Sequence, residues 1–288
     1  MVKAIFGKEA DLGDISVRRV LPHREVRSVG PFVFFDHMGP VKFESGQGID
    51  VPPHPHIGLA TVTYLFTGTI LHRDSLGSDI EITPGDLNWM HAGRGITHSE
   101  RETEMVRNSV HALHGLQLWV ALPEDAEETD PAFYHVSKDD LPIIEDAGLH
   151  MRLIAGEAFG KTAPVPVKSK LYYLDVAMDE GAQLLLPGEN QEGAVYIVSG
   201  TLVIDGESHE QHSLVYIAPD EIPDITAKTD CRVMLLGGLP VGKRHLWWNF
   251  VSSSKDRIEK AKSDWASGKF PQIEGEDDAL PLPERSTG

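Results

Sequence analysis

Two short segments place ligand-type side chains at alternate positions. The first is His54-Pro55-His56. In an extended chain, residues i and i+2 point to one face. Pro55 favours extension at His54, because the residue before a proline avoids the helical region. The second segment, Thr97-His98-Ser99-Glu100, repeats the spacing with a histidine and a carboxylate. On facing strands the two pairs would offer three neutral imidazole nitrogens and one carboxylate. That set suits a divalent first-row metal ion and leaves coordination positions open. One His-x-His alone is commonly surface or capping chemistry. A second pair, downstream of the turn Pro84-Gly85-Asp86 in a strand-rich stretch, points instead to a metal site.

The other candidates read mainly as scaffold. His111 and His114 lie just before a strand and read as structural, and His91 reads as a hydrogen-bonded histidine that could otherwise line the pocket. Asp36-His37 fits a turn or a position near the cavity. His72 is expected at a strand end, facing solvent. Trp247 and Trp248 are expected to anchor the last segment. Gly93-Arg94-Gly95 lacks the lysine and following helix of a phosphate loop. It reads as a tight turn that lets the strand bearing His98 enter a barrel.

The elements that must hold these residues are short strands. Thr61 to Phe66 is rich in β-branched and aromatic residues and ends at Thr67-Gly68. Ile80 to Thr83 alternates and closes on Pro84-Gly85-Asp86, and Leu116 to Val120 follows Gly115. Further on, Ala194 to Val198 runs into Ser199-Gly200, and Thr201 to Ile204 into Asp205-Gly206, a hairpin signal. The halves look alike: Tyr64 falls on Tyr196 and Gly68 on Gly200 at a constant offset of 132 residues. This suggests a duplicated barrel. The same offset puts Leu186 and Gly188 where His54 and His56 stand, and Asp230, or Val233 after a small insertion, where His98 stands. The second copy is therefore expected to hold no metal.

The acidic, proline-flanked run Pro123 to Pro131 is read as the linker, giving an N-terminal metal-binding barrel over 1–130 and a C-terminal barrel over 131–288. The latter is expected to end in a helix, with Ser253 to Asp256 as a capping box, Ile258, Ala261 and Trp265 on one face, and Gly268 as the stop. The tail from Gly275 is expected to be extended or mobile. The fold class is all-β, two antiparallel jelly-roll barrels with a short C-terminal helix.

Bulk properties narrow the partners. At 288 residues with 41% hydrophobic content the chain can fill two cores. Its net charge of -18 opposes phosphate backbones and anionic lipid surfaces, so no direct nucleic-acid or membrane partner is expected. The single cysteine, Cys231, excludes an internal disulfide. No apolar run reaches membrane-spanning length and the N-terminus lacks a signal-peptide core, so a cytoplasmic location is expected.

The motifs also carry a family resemblance. Gly48 followed by His54-Pro55-His56 resembles the first cupin motif, and Pro84-Gly85-Asp86 leading to His98 the second. More specifically, the chain is similar to bacterial pirins in VGPFVFFDHMGP (29–40), PHPHIGLATVTYLFTG (53–68), GDLNWMHAGRGITHSE (85–100), HGLQLWVALP (114–123) and WNFVSSSKDRIEKAKSDW (248–265). The third run is highly specific, and the resemblance spans nearly the whole chain. It implies a bicupin with one metal in the first barrel, usually Fe(II), held by His54, His56, His98 and Glu100. Nickel, copper, zinc or manganese are alternatives. It also implies quercetin 2,3-dioxygenase activity, opening a flavonol ring with dioxygen. Glu100 would then also accept the substrate hydroxyl proton as the catalytic base. The eukaryotic relative implies an alternative, a metal-containing regulator acting through protein partners. Two departures stand out. Ala60 occupies the usual cupin glutamate position, which leaves Glu100 as the carboxylate ligand, as in pirins. His91 stands where members often have another residue.

Overall fold

A computed structural model describes residues 2–188 and 191–284, and its regular structure is mostly antiparallel strand. The chain forms two compact units. One comprises 2–8, Arg19–Phe35 and Val136–Pro240, and the other comprises Glu9–Arg18, Asp36–His135 and 241–284. This division does not follow a single cut at 130/131. The chain passes between units several times, and the segment from Val241 onward, helix included, belongs with the histidine-bearing unit.

The physical reason lies in two sets of contacts. Ile57 of the first barrel packs with Phe250, Ile258, Ala261 and Phe270, with Trp247, Trp248 and Trp265 against them. The expected linker supplies the second set. Glu127 is buried, pairs with Arg244 at 2.8 Å, and accepts hydrogen bonds from Ser252 Oγ and Ser253 N, both at 2.8 Å. A carboxylate that deep needs partners, and the C-terminal segment provides them. The helix spans Lys255–Ala266 and is capped by Ser254, whose hydroxyl accepts from Arg257 N–H. The cap is one residue beyond the expected one, and Asp256 falls in the first turn. Gly268, at φ +67, follows the helix, with its N–H on Trp265 O. The tail is docked at Glu276 and Leu280 rather than loose there: Glu276 accepts from Ser99 Oγ at 2.7 Å and pairs with Arg101, and Leu280 N–H donates to Pro53 O, while 285–288 lie outside the described residues.

In the histidine-bearing unit, one sheet orders the strands Asp50–His56, Ile96–Arg101, Ile70–Asp74 and Asp79–Ile82. A second sheet includes, in order, the strands Ala132–Val136, Leu87–His91, Leu59–Thr67 and His111–Ala121. Leu59 to Leu65 are all buried, which explains the near-continuous apolar and β-branched run there. The other unit has a large sheet containing Glu192–Ser199, Cys231–Gly238, Leu171–Met178 and Leu149–Ala158, and a small one built on Thr201–Ile204. Its interior is apolar, with Leu153, Leu174, Val195, Ile197, Val233 and Leu235 fully buried.

The internal likeness extends to backbone detail. Tyr64 and Tyr196 are both fully buried. Gly68 and Gly200 turn at φ +84 and +85, and a Cβ on either would lie 2.3 or 2.4 Å from a carbonyl oxygen, that of Ala112 or Asp230. Both positions therefore exclude any side chain for the same reason.

Candidate metal centre

The strands Asp50–His56 and Ile96–Arg101 pair antiparallel with His98 directly opposite His54 and Ile96 opposite His56. This register brings the two ligand-type pairs together. Gly93, at φ +49 and tight against Thr129 O, forms the turn that leads into the second strand. A shift between His98 and Glu100 then breaks the pairing, so Glu100 lies opposite Val51.

His54, His56 and His98 are all buried, and one ring nitrogen of each lies within 4.8 Å of the others. Hydrogen bonds assign the protons. His54 Nδ1 is 2.9 Å from Pro52 O, and His56 Nδ1 is 3.1 Å from Asn249 O. A carbonyl only accepts, so both Nδ1 atoms carry hydrogen and both Nε2 atoms present lone pairs. His56 Nε2 sits 3.1 Å from His98 Nε2. That spacing is met either by a hydrogen on His98 Nε2 or by an ion held between the two nitrogens. The nitrogen donors fit a divalent first-row ion. Burial keeps all three rings neutral: it brings His54 down to about 4 and, with the neighbouring histidine charges, holds His56 and His98 well below the usual range. Neutral imidazole is the form that binds metal.

Glu100 stands apart from this cluster. Its carboxylate accepts from Gln117 Nε2 at 3.1 and 3.2 Å and from Thr63 Oγ1 at 3.5 Å. Gln117 is itself oriented by the Thr63 hydroxyl, which lies 2.6 Å from its Oε1. Burial raises the Glu100 pKa, partly offset by His72, Gln117 and Thr63. Trp119 meets His56 edge-on at 5.3 Å between centroids and adds an aromatic wall.

His72 is misplaced by the sequence reading. It is buried, not solvent-facing, and its Nδ1 lies 3.4 Å from His98 Nδ1. The signal was its alternation with Asp74, which puts both on one strand face. Other histidines singled out in the sequence have hydrogen-bond partners outside the cluster: His91 bonds Thr129 Oγ1 at 2.8 Å, His111 pairs with Glu102 at 3.0 Å, and His114 meets His37 at 2.8 Å. No helix among the described residues is long and apolar enough to cross a membrane.

Comparison with known proteins bears on the whole chain. The Pirin family model matches residues 14–120, and the model of the Pirin C-terminal cupin domain matches residues 173–271. A pirin-like protein of Caulobacter vibrioides is 49% identical over 290 residues, covering 99% of this chain and 100% of that protein. Pirin-1 of Arabidopsis thaliana is 30% identical over 93% of each chain. Among solved structures, a quercetin 2,3-dioxygenase from Acinetobacter baumannii superposes with a TM-score of 0.87 at 33% identity, covering 100% of this chain and 98% of that one. The two-cupin architecture with a short C-terminal helix is thus established.

Proposed function

The chain belongs to the pirin family, and from that premise we propose that it is a metal-dependent dioxygenase acting on a flavonol-like substrate. The ion, Fe(II) by family expectation, would be held by His54, His56 and His98, with Glu100 turning from Gln117 to complete the set. The observation that carries this reading is the convergence of three buried imidazole nitrogens, two of them 3.1 Å apart. The likeness to the Acinetobacter quercetin 2,3-dioxygenase supports the choice of substrate class.

A metal ion there would supply Lewis-acid and redox chemistry and open positions for substrate and dioxygen. The chain's own residues do the rest. Glu100 accepts the flavonol hydroxyl proton, because its burial raises its proton affinity and no second carboxylate is tied to the site by motif. Gln117, oriented by the Thr63 hydroxyl, holds that carboxylate in the position from which it would turn to the ion. Trp119 offers an aromatic surface beside His56. The overall reaction consumes one flavonol and one dioxygen and gives a ring-opened depside and carbon monoxide.

The test is elemental analysis of the purified protein together with oxygen uptake and carbon monoxide release on quercetin. About one ion per chain with turnover supports the reading. Full metal occupancy without turnover rejects the enzyme and favours the regulatory alternative. Glu100→Gln separates the roles of that residue: retained metal with most turnover lost supports the base, and normal turnover at normal occupancy rejects it.

A further inference from the structure

His98 differs from its two partner ligands in how its outer nitrogen is held. His54 and His56 each donate to a backbone carbonyl, whose accepting role cannot change. His98 Nδ1 instead faces His72 Nδ1 at 3.4 Å, an atom that can donate or accept according to its proton. Its other nitrogen, Nε2, faces the lone pair of His56 Nε2 at 3.1 Å, so the tautomer of His98 is contested between His56 on one side and His72 on the other.

His72 Nε2 lies 3.0 Å from Asp74 Oδ2, and both side chains are buried. A carboxylate accepts, so His72 carries hydrogen on Nε2 and, when neutral, a lone pair on Nδ1. That lone pair accepts from His98 Nδ1–H, which leaves His98 Nε2 free for the metal position. Asp74 cannot turn away, because its other oxygen, Oδ1, accepts from Leu76 N at 2.9 Å and Ser78 N at 3.1 Å. Phe133 stacks on His72 with centroids 4.3 Å apart and planes at 12°, which fixes the ring plane.

We propose that Asp74 and His72 form a positioning relay that sets the tautomer of His98 and so presents its Nε2 as a ligand. The relay rests on the metal-site reading above, but it has its own signature in metal-free protein. Ligand histidines commonly depend on such outer partners, whose loss costs 10–100-fold in metal affinity.

Asp74→Asn is the sharpest perturbation. The two backbone N–H groups require an acceptor at Oδ1, so the amide nitrogen must take the place of Oδ2 and donate toward His72 Nε2. His72 then carries its proton on Nδ1, and His98 must accept there and protonate Nε2. The ligand face is blocked by a change of one atom.

The experiment combines nitrogen NMR of histidine-labelled, metal-free protein with zinc affinity measured by chelator competition. In the parent protein His98 should be protonated at Nδ1; in Asp74→Asn it should be protonated at Nε2, with zinc affinity down 10–100-fold. His72→Asn, which restores a carbonyl acceptor near the Nδ1 position, should bind zinc more tightly than His72→Leu. A merely structural role would not produce that rescue. A parent His98 protonated at Nε2, or parent-like zinc affinity in folded Asp74→Asn, overturns the relay. A parent protein with the expected tautomer but no zinc affinity leaves the relay standing and rejects the metal site instead.

Discussion

Replacing Glu127 with alanine should loosen the C-terminal segment and, through it, the metal centre. The carboxylate pairs with Arg244 at 2.8 Å, and each side chain is only 6% exposed. It also accepts from Ser252 Oγ and Ser253 N, both at 2.8 Å, and from Ser253 Oγ at 3.1 Å. Alanine leaves the guanidinium buried with two backbone acceptors, Leu122 O at 2.9 and 3.2 Å and Lys243 O at 3.1 Å, and no counter-charge in place of Glu127. Breaking a buried pair from one side costs about 3–5 kcal/mol. That is a large share of the roughly 5–15 kcal/mol that holds a domain together. Asn249, whose carbonyl fixes His56 Nδ1, sits on the same segment, so metal affinity should fall as well. All five tryptophans, Trp89, Trp119, Trp247, Trp248 and Trp265, lie in this unit, so urea denaturation followed by tryptophan fluorescence reports it selectively. Adding Arg244→Met to Glu127→Ala should recover part of the loss, because the uncompensated charge is gone. A loss under about 1 kcal/mol, or a double variant as unstable as the sum of the singles, would refute the argument that this ion pair docks the segment.

Other substitutions test the site and its support. His98→Ala should abolish tight metal binding by the whole chain, since the second barrel's interior is apolar; stoichiometric tight metal retained in that variant would show another site. Glu276→Ala should cost about 1–3 kcal/mol in urea denaturation, because it strips Ser99 and Arg101 of a buried acceptor on the strand that carries His98; an unchanged midpoint would show the tail to be dispensable. Metal-free protein should lose stability on acidification. His54 has a folded pKa of about 4 against the ordinary 6.5, so the unfolded chain binds the extra proton. Its contribution, about 3 kcal/mol, is present above pH 6.5 and is lost as pH falls toward 4. Flat stability across that window would contradict the burial argument.

The ligand-type pairs were legible because strand periodicity is local: alternation alone placed His54 with His56 and His98 with Glu100 on common faces. Turn chemistry was legible too, since Gly68 and Gly200 are demanded by backbone sterics that act within a few residues. Family likeness supplied the two-cupin architecture from the same runs. Long-range packing and charge burial decided the rest. An acidic run between prolines reads as solvated linker until Arg244, 117 positions after Glu127, closes on it. No local pattern announces that the helix Lys255–Ala266, together with Phe250, packs with Ile57, about 200 positions earlier in the chain. His72 looked exposed for a similar reason. Its burial depends on Phe133 stacking over it and on the strand Ile96–Arg101 pairing beside it, contacts that exist only once distant strands have met. The resting place of Glu100 on Gln117 came from the strand His111–Ala121 of the other sheet, not from its own spacing, because the amide 3.1 Å from its carboxylate arrives only when the two sheets face each other.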